Sequence, residues 1–454
     1  MSPNSPMPST LSEKMRNDAA AIFQAGLAAV DPATAIRRHV SMDHAHLIMG
    51  DKTFDLSRVD RLFVIGAGKA SGAMAAALEE ILVDRITDGL VVVKYDHAVK
   101  LTRIPLVEAG HPIPDKNGQE GAERIHKLVG KAGKDDLVIC LMSGGGSALL
   151  PFPRPGLTLV GKQETNQVLL SCGASIHEIN TIRKHLSHIK GGQLAMCAHP
   201  ARVVSLILSD VVGDDLDVIA SGPTVPDPST FQDCGDILSK YGIADKLPQA
   251  IHRHLARGVA GEIEETPKPG HPVFDKTDHF IIGNNFQALR SAKQHAESLG
   301  YNTLMLTSLL TGETRDAAHF QTAIIREMLQ SGYPIQPPAC LLSGGETTVT
   351  LKGNGKGGRN QEYVLASALA LENLAPVVCL SAGTDGTDGP TDAAGAIMDS
   401  TTLTRANKKG LSAAAYLRNN DSYHFFQALG DHYVTGPTRT NVMDIRITLV
   451  GVKK

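Results

Sequence analysis

The sequence predicts an α/β protein built from two three-layer α/β/α domains. The chain has 454 residues, which is more than one compact core usually accommodates. Short apolar runs alternate with helical stretches, which is typical of parallel sheets wrapped by helices. The alternation stops at residues 222–228, where three prolines indicate a connection between domains. We therefore expect an N-terminal domain over residues 11–225 and a C-terminal domain over residues 226–454.

The predicted elements form two series along the chain. Residues 11–40 carry apolar residues at helical spacing and should form one or two helices. In the first series, strands are predicted at 62–65, 90–93, 106–109, 137–141 and 203–208, with helices at 70–82 and 117–128. In the second series, strands are predicted at 280–282, 303–306, 340–342, 347–351, 377–380 and 445–450. The short gap before residue 347 suits a tight turn, so the second sheet should be mixed.

Composition and charge argue against several classes of function. The apolar share of 42% and the net charge of −3 are ordinary for a soluble globular protein. No lysine- or arginine-rich run is present, which argues against a nucleic-acid partner. The six cysteines are far apart without a CxxC pair, as in a reduced cytoplasmic protein. No apolar segment reaches the ~18 residues of a membrane span, and the polar residues 1–10, without a signal-peptide pattern, are predicted to be a frayed tail.

Two glycine-rich loops at the ends of predicted strands are candidate anion sites. Backbone N–H groups without a neighbouring Cβ can close on phosphate oxygens, and a helix N-terminus adds partial positive charge. The first loop also places Lys69 in a first helical turn, where the helix dipole repels an ammonium unless an anion binds there. Close packing or a sharp turn remains the alternative for both loops. The candidate binding residues are Gly66, Gly68, Ser143, Gly144, Gly145, Gly146 and Ser147.

Carboxylates follow two further predicted strands. Asp210 comes after residues 203–208, at the strand end where open α/β sheets place their chemistry, and it could accept a hydroxyl proton or hold magnesium. For Asp214, metal binding and a helix N-cap are both open. Asp385 and Asp388 lie in a glycine-rich loop at a spacing that suits Mg²⁺ held by one or two carboxylates, phosphate and water. The same spacing excludes a calcium-binding EF-hand.

The second half of the chain supplies two more cations. Lys356 and Arg359 lie in a loop that matches G-x-G-x-x-G, a weak dinucleotide signal because it follows a predicted hairpin strand. Arg359 at a helix start opposes the dipole, which favours anion binding, whereas Lys356 is equally well explained as a solvated charge. The remaining candidate binding residues are His111, which follows the strand at 106–109 and should line a cleft, and Gly344, Gly345 and Glu346.

Taken together, the motifs resemble those of the two-domain glycerate kinases of the MOFRL family, which have at times been labelled hydroxypyruvate reductases. The resemblance covers about residues 17–450. It implies ATP-dependent phosphorylation of D-glycerate, usually on the 2-hydroxyl, in a cleft between an N-terminal Rossmann-like domain and a C-terminal mixed domain. The family's lysine and arginine correspond to Lys69 and Arg359. The motifs are GAGKASG, GHPIPD, LMSGGGSALL, NTIRKHLSHIKGG, LSDVVGDDLDVIASGPTVPDPSTF, LSGGETTVT, GGRNQE and AGTDGTDGPTDAAGA.

Two other functions were weighed against the kinase. A nicotinamide-dependent reductase of hydroxypyruvate or tartronate semialdehyde is disfavoured by the G-x-G-x-x-x-G spacing at residues 66–72 and by the lack of an acid about 20 residues on. A non-catalytic sugar-phosphate-binding regulator would need neither the paired acids nor the two cations. We therefore expect a cytoplasmic kinase, monomeric or homodimeric, that uses ATP and Mg²⁺, with Lys69, Arg359 and Asp210 as its catalytic residues.

Overall fold

The structure is a computed structural model that describes residues 11–372, 374 and 376–452. The tail predicted at residues 1–10 lies outside the described residues. The chain divides into two compact units. We call Pro32–Ile282 the parallel unit, and the described residues of Met1–Asp31 and Gly283–Lys454 the mixed unit.

The α-helices are α1 (Leu11–Ala29), α2 (Pro32–His39), α3 (Ser71–Leu82), α4 (Lys116–Val129), α5 (Gly146–Leu149), α6 (Leu159–Ser171), α7 (Ile176–His185), α8 (Gln193–Ala198), α9 (Phe231–Tyr241), α10 (Gln249–Val259), α11 (Asn285–Ser298), α12 (Thr314–Ser331), α13 (Arg359–Ala370), α14 (Thr402–Lys408), α15 (Ala413–Arg418) and α16 (Ser422–Leu429). The strands are β1 (Val40–Asp43), β2 (His46–Met49), β3 (Lys52–Asp55), β4 (Leu62–Ala67), β5 (Asp88–Lys94), β6 (Leu106–Ala109), β7 (Leu137–Ser143), β8 (Arg202–Leu208), β9 (Thr277–Gly283), β10 (Asn302–Leu310), β11 (Ala339–Gly345), β12 (Val377–Gly383), β13 (Gly395–Asp399), β14 (His432–Tyr433) and β15 (Asp444–Val450).

The main sheet of the parallel unit has the strand order β6-β5-β4-β7-β8-β9, and the pairs from β6 to β8 are all parallel. Every residue of β4 and β7 is buried, as expected of a parallel strand covered on both faces. Ile65 packs with α4 and α8 on one face, and Gly72 of α3 lies against Val93 on the other. The predicted three-layer parallel domain is confirmed. A separate three-stranded antiparallel sheet contains β1, β2 and β3.

The sheet of the mixed unit has the order β10-β11-β15-β12-β13-β14. The pair β10–β11 is parallel, whereas β15 is antiparallel to both β11 and β12. Successive side chains of β15 point to opposite faces. Ile445 lies beneath Gly26 of α1, and the Arg446 guanidinium lies 5.2 Å from the centre of the Tyr363 ring on α13. The predicted mixed sheet, covered by helices on both faces, is therefore confirmed.

Two predicted strands need correction. Residues 347–351 do not form a strand, and only Thr348 makes an isolated bridge, to Glu313. The reason is that both edges of β11 are already occupied, by β10 and β15, so a hairpin strand returning beside β11 has no place to pair. The sheet is mixed because of β15. Residues 280–282 do form a strand, but it is part of β9 in the parallel unit.

The boundary between the units also differs from the predicted one at residues 225 and 226. Phe231 of α9 and Leu255 of α10 pack with Ile182 of α7 in one apolar core of the parallel unit. The carbonyl of Pro223 accepts hydrogen bonds from the backbone of α8. The proline-rich segment is therefore a turn inside the parallel unit, and α1 belongs with the mixed unit.

Among the described helices, none is by itself long and apolar enough to cross a membrane. Only α1 and α2, counted together as a bent pair, meet that criterion.

Candidate active site

Four of the predicted site segments lie at one edge of the parallel unit. The strands β4, β6, β7 and β8 run in the same direction, so their carboxyl ends meet at the same edge of the sheet. Lys69 follows β4, His111 follows β6, residues 144–147 follow β7, and Asp210 follows β8. The fold thus brings together side chains that are up to about 140 residues apart in the sequence.

The loop after β4 is fastened to the loop after β7 and is not an open anion cradle. The N–H groups of Gly68 and Lys69 donate to the carbonyls of Val92 (3.1 Å) and Gly144 (2.9 Å). The N–H of Ala70 donates to the Ser143 hydroxyl at 3.0 Å. The N–H groups of Gly68, Lys69 and Ala70 are therefore already used inside the protein, and binding of phosphate by this loop stays a prediction.

Close packing explains the glycines of this loop. A Cβ on Gly66 would lie 2.6 Å from the carbonyl oxygen of Leu141, on the neighbouring strand. Gly68 has a φ of +144°, and a Cβ there would collide with the Ser143 hydroxyl. The alternative of close packing therefore accounts for Gly66, Gly68 and Ser143, and their direct contact with a ligand stays a prediction.

His111, Gly145 and Ser147 line a pocket of about 210 Å³. Gly145 has a φ of +85°, and a Cβ there would lie 2.8 Å from Cδ2 of His111, so the imidazole needs a glycine beneath it. The pocket, which we call the cationic pocket, is otherwise lined by Pro112, Pro114, Ala148, Pro151, Lys162, Gln163, Asn166, Arg183 and Lys190.

Three basic side chains in the cationic pocket have no carboxylate partner among the described residues. Lys190 is buried, and Lys162 and Arg183 are half-buried. The ammonium of Lys190 donates to the carbonyl (2.7 Å) and the hydroxyl (3.1 Å) of Ser147. Arg183 donates to Oδ1 of Asn166 at 2.9 and 2.6 Å. The buried ammonium of Lys162 has no hydrogen-bond partner. Within the described part of the chain, no carboxylate is in ion-pairing distance of any of the three.

The electrostatics of the pocket reflect this excess of positive charge. Burial, and then the charge of Arg183, lower the pKa of Lys162 to about 7. Burial also lowers the pKa of Lys190 well below its ordinary value, with the charges of Lys162 and Arg183 acting in the same direction. Each cation thus disfavours the protonation of its neighbours.

Sequence reasoning missed these three residues as site residues. Lys162 lies on α6, Arg183 on α7, and Lys190 in the turn that follows α7. Lys162 is separated along the chain from the other two, whereas Arg183 and Lys190 both lie in the motif NTIRKHLSHIKGG, in which Lys190 precedes two glycines. The available signal was the basic stretch at residues 183–190, which is embedded in an otherwise buried segment.

In the mixed unit, Arg359 is the first residue of α13 and is held by two carboxylates. Its Nε and Nη2 donate to the two oxygens of Asp444 at 2.7 and 3.0 Å, and Nη1 lies 2.7 Å from Glu346. Burial by itself lowers the pKa of Arg359, but the charges of Asp444 and Glu346 outweigh burial and raise it. Glu346, predicted to bind a ligand, is therefore an ion-pair partner of this arginine.

Asp388 has a structural role that differs from the predicted one. Its two oxygens accept the backbone N–H groups of Asn360 (3.0 Å) and Gln361 (2.9 Å) and also the amides of both side chains. Burial raises the pKa of Asp388 to about 6 in spite of these hydrogen bonds. Because both oxygens are occupied, Asp388 caps α13 and is not placed to take a metal ion.

Two predicted metal ligands remain untested. Asp385 accepts the N–H and the hydroxyl of Thr387 on one oxygen, and Asp214 lies in a turn with its N–H donating to Val211. No group of three or more His, Cys, Asp or Glu side chains in the described residues is arranged to hold a metal. Mg²⁺ is usually bound through only one or two carboxylates together with substrate phosphates, so the two aspartates stay predicted ligands.

The other predicted residues of the mixed unit have ordinary structural surroundings. The Lys356 ammonium lies 4.3 Å from the centre of the Tyr423 ring, an arrangement that stabilises a partly exposed cation. Gly344 and Gly345 are the last two residues of β11 and do not form the predicted tight turn. Ligand binding by these three residues stays a prediction.

Comparisons with known proteins agree with the fold and the motifs. Residues 18–256 match a domain family of unknown function, DUF4147, and residues 339–444 match the MOFRL family. The chain is 42% identical over 427 residues to a glycerate 2-kinase from Pyrococcus horikoshii, covering 94% of this chain and 95% of the relative. A relative from Agrobacterium vitis with a provisional hydroxypyruvate reductase name is 43% identical, with 95% and 93% covered.

A solved structure gives the same result. The crystal structure of a glycerate kinase from Thermotoga maritima is 41% identical to this chain, with a TM-score of 0.85 and coverage of 96% of this chain and 100% of that chain. Because identity, coverage and fold agree over nearly the whole length, the chain belongs to the two-domain, MOFRL-type glycerate kinase family and is a kinase.

Proposed function

We propose that this kinase transfers the γ-phosphoryl group of ATP to the 2-hydroxyl of D-glycerate and yields 2-phospho-D-glycerate and ADP. The observation that carries the proposal is the cationic pocket, which His111 and Ser147 line at the edge of the sheet where open α/β proteins bind their ligands. Lys69 and Asp210 follow strands that end at the same edge. A buried site rich in cations suits a small acid. The names of two relatives, from Pyrococcus horikoshii (42% identical) and Thermotoga maritima (43% identical), support phosphorylation of glycerate.

The proposed mechanism has two parts, which are neutralisation of the charge on the transferred group and transfer of a proton. Phosphoryl transfer depends mainly on positioning and on neutralising the charge of the transferred group. Lys69 supplies positive charge toward the transferred phosphoryl group, and Asp210 accepts the proton that the attacking hydroxyl loses. Mg²⁺, when bound with the nucleotide, would neutralise phosphate charge, and Asp385 and Asp214 are each a candidate ligand for it. Arg359 is proposed to contribute charge from the start of α13.

The reductase alternative is disfavoured by the loop after β4. In dinucleotide-binding folds, the first strand-to-helix turn presents free N–H groups to the pyrophosphate. Here the N–H groups of Gly68, Lys69 and Ala70 are already bonded to other protein atoms. A pyrophosphate would have to break these bonds in order to bind.

Two assays test the proposed function. The protein is incubated with D-glycerate, ATP and Mg²⁺ while ADP release is followed, and phosphorus NMR identifies the phosphorylated hydroxyl. In parallel, NADH oxidation is followed with hydroxypyruvate. We expect ADP release with a 2-phosphorylated product and no NADH oxidation. NADH oxidation without ADP release would overturn the proposal.

A matched pair of variants tests the role of Lys69. Loss of a charge that acts on the transferred group costs several kcal/mol, so Lys69→Ala should lower kcat by at least about 100-fold. Lys127→Ala removes an exposed lysine of α4 in the same unit and should leave kcat unchanged. Circular dichroism confirms that both variants fold. A Lys69→Ala variant that keeps more than about a tenth of the activity would exclude Lys69 from the chemistry.

A further inference from the structure

We propose that the cationic pocket binds a small acid that carries both a carboxylate and a phosphate, and that Lys162, Arg183 and Lys190 are its ligands. In the reaction proposed above, on which the identity of this acid rests, it is 2-phospho-D-glycerate. The pocket would therefore be the site that holds the product.

The positive charge of the pocket supports the binding of such an acid. Isolated cations in a protein interior are strongly disfavoured unless an anion accompanies them. The three cations act on one another within the pocket, and no described carboxylate pairs with them. A simple monocarboxylate would leave most of this charge uncompensated, whereas a phosphorylated acid carries enough negative charge to balance all three.

A buried lysine on the same helix, α7, is neutralised by carboxylates. Lys184, next to Arg183, is 2% exposed. Its ammonium lies 2.8 Å from Asp217 and 3.3 Å from Asp227, and Asp227 is completely buried. A buried lysine that serves the fold is thus compensated twice, whereas Lys162 and Lys190 are not compensated by carboxylates at all.

The pocket also leaves hydrogen-bond donors available for a ligand. The Lys162 ammonium is buried and makes no hydrogen bond, so all three of its N–H donors can go to a ligand. Arg183 makes its two short hydrogen bonds to one atom, Oδ1 of Asn166, and its Nη1 has only a long contact of 3.5 Å to Asn180. Both side chains are therefore able to bind further oxygen atoms.

The size of the pocket also suits such an acid. The pocket has a volume of about 210 Å³, many times the ~10–15 Å³ that a cavity needs to hold one water. This is room for a three-carbon acid with one phosphate. A nucleotide, with its base, ribose and three phosphates, is much larger than such an acid, and we expect ATP to bind outside the pocket.

Calorimetric titration of the whole protein without turnover tests the assignment. The ligands are 2-phospho-D-glycerate, D-glycerate, inorganic phosphate and ATP, each added alone. The variant is Lys162→Met, which keeps a similar shape. The control is Lys134→Met, which removes an ammonium whose side chain is 78% exposed. Thermal unfolding of both variants shows that they fold.

We expect 2-phospho-D-glycerate to bind the wild type more tightly than either D-glycerate or phosphate does. Loss of a charge-assisted hydrogen bond should weaken its binding to Lys162→Met by at least about tenfold. The control should bind like the wild type, and the affinity of Lys162→Met for ATP should not change.

Three results would overturn the assignment. The first is equal affinity of Lys162→Met and wild type for 2-phospho-D-glycerate. The second is an equal loss of ATP affinity, which would place nucleotide phosphates in the pocket. The third is binding of inorganic phosphate as tight as that of the phosphorylated acid. The proposed function is tested separately. If binding depends on Lys162 but the protein does not phosphorylate glycerate, the ligand assignment of the pocket stands and the proposed reaction is wrong.

Discussion

The cations of the mixed unit and those of the cationic pocket are compensated in opposite ways. In the mixed unit, Arg359 and Arg446 share the carboxylate of Asp444, which is completely buried, and Arg359 also pairs with Glu346. In the parallel unit, the three cations of the cationic pocket have no carboxylate partner among the described residues. In the first arrangement the protein itself supplies the carboxylates that neutralise the arginines. The second lowers the stability of the free protein while the lysines are protonated, and an anion that binds there relieves this cost.

The comparison shows what a charge at a helix start can and cannot indicate. A guanidinium in the first turn of a helix opposes the helix dipole, so the sequence predicts that a ligand compensates the charge of Arg359. The compensation instead includes Asp444, which is 85 residues away in the sequence. A local pattern of charge detects that an anion is needed, but it does not show whether the protein or a ligand supplies it.

The largest expected change in stability is in the mixed unit, where carboxylates neutralise the arginines. Asp444→Asn leaves two arginines without their shared carboxylate, and removal of one partner of a buried pair typically costs about 3–5 kcal/mol. The free energy of unfolding, measured with guanidinium chloride, should fall by that amount. Glu297→Gln removes an exposed carboxylate of the same unit and should cost less than about 1 kcal/mol. Equal effects of the two variants would mean that the arginines are compensated by other groups.

A substitution in the cationic pocket should have the opposite effect on stability. Lys162→Met removes a buried charge from the ligand-free protein, so the free energy of unfolding at pH 7 should rise. The fall in the pKa of Lys162 from 10.5 to about 7 sets an upper limit of about 5 kcal/mol. We expect a gain of about 2 kcal/mol, because water and local relaxation reduce the cost of burial.

The pH dependence of this gain has a defined sign. At pH values below about 7, the ammonium is charged in both the folded and the unfolded protein, so its burial has its full cost. As the pH rises from about 7 toward 10.5, the folded protein loses the proton first and the cost disappears. The difference in unfolding free energy between variant and wild type should therefore shrink over this range. A gain that is the same at pH 6 and pH 10 would contradict the burial of a charged ammonium.

The smallest effect is expected for Asp217→Asn. Lys184 loses its partner at 2.8 Å but keeps the fully buried Asp227 at 3.3 Å, and Asp217 itself is partly exposed. The free energy of unfolding should fall by only about 1 kcal/mol, and added salt should reduce the difference. A loss as large as that of Asp444→Asn would show that one remaining carboxylate does not compensate a buried lysine.

Much of the fold was predictable because its strands are strongly apolar. The predicted strands at 62–65, 90–93 and 137–141 fall within β4, β5 and β7, since strands buried on both faces appear as continuous apolar runs. The strand predicted at 347–351 failed because the availability of a sheet edge depends on β10 and β15, which are distant in sequence. The predicted domain boundary failed because prolines mark turns inside a unit as well as between units.

The site was predictable in position but not in composition. The carboxyl ends of parallel strands meet at one edge, so His111, Ser147 and Asp210 could be placed there from the sequence. The residues that give the pocket its charge lie on helices that fold over this edge, and no local spacing relates Lys162 to Lys190. The capping role of Asp388 was hidden for the same reason, because it depends on a contact with α13.

The grouping of α1 with the mixed unit has a consequence for synthesis of the chain. Leu11–Ala29 leaves the ribosome first, but α11, β12 and β15, on which it packs, are made after Pro32–Ile282. At roughly 5–20 residues per second, this intervening segment takes on the order of ten to fifty seconds to translate. During that time the apolar face of α1, with Met15, Ile22 and Phe23, has none of its final partners. The parallel unit is continuous in sequence and can complete its core first, whereas the mixed unit closes only when β15, at the end of the chain, has emerged.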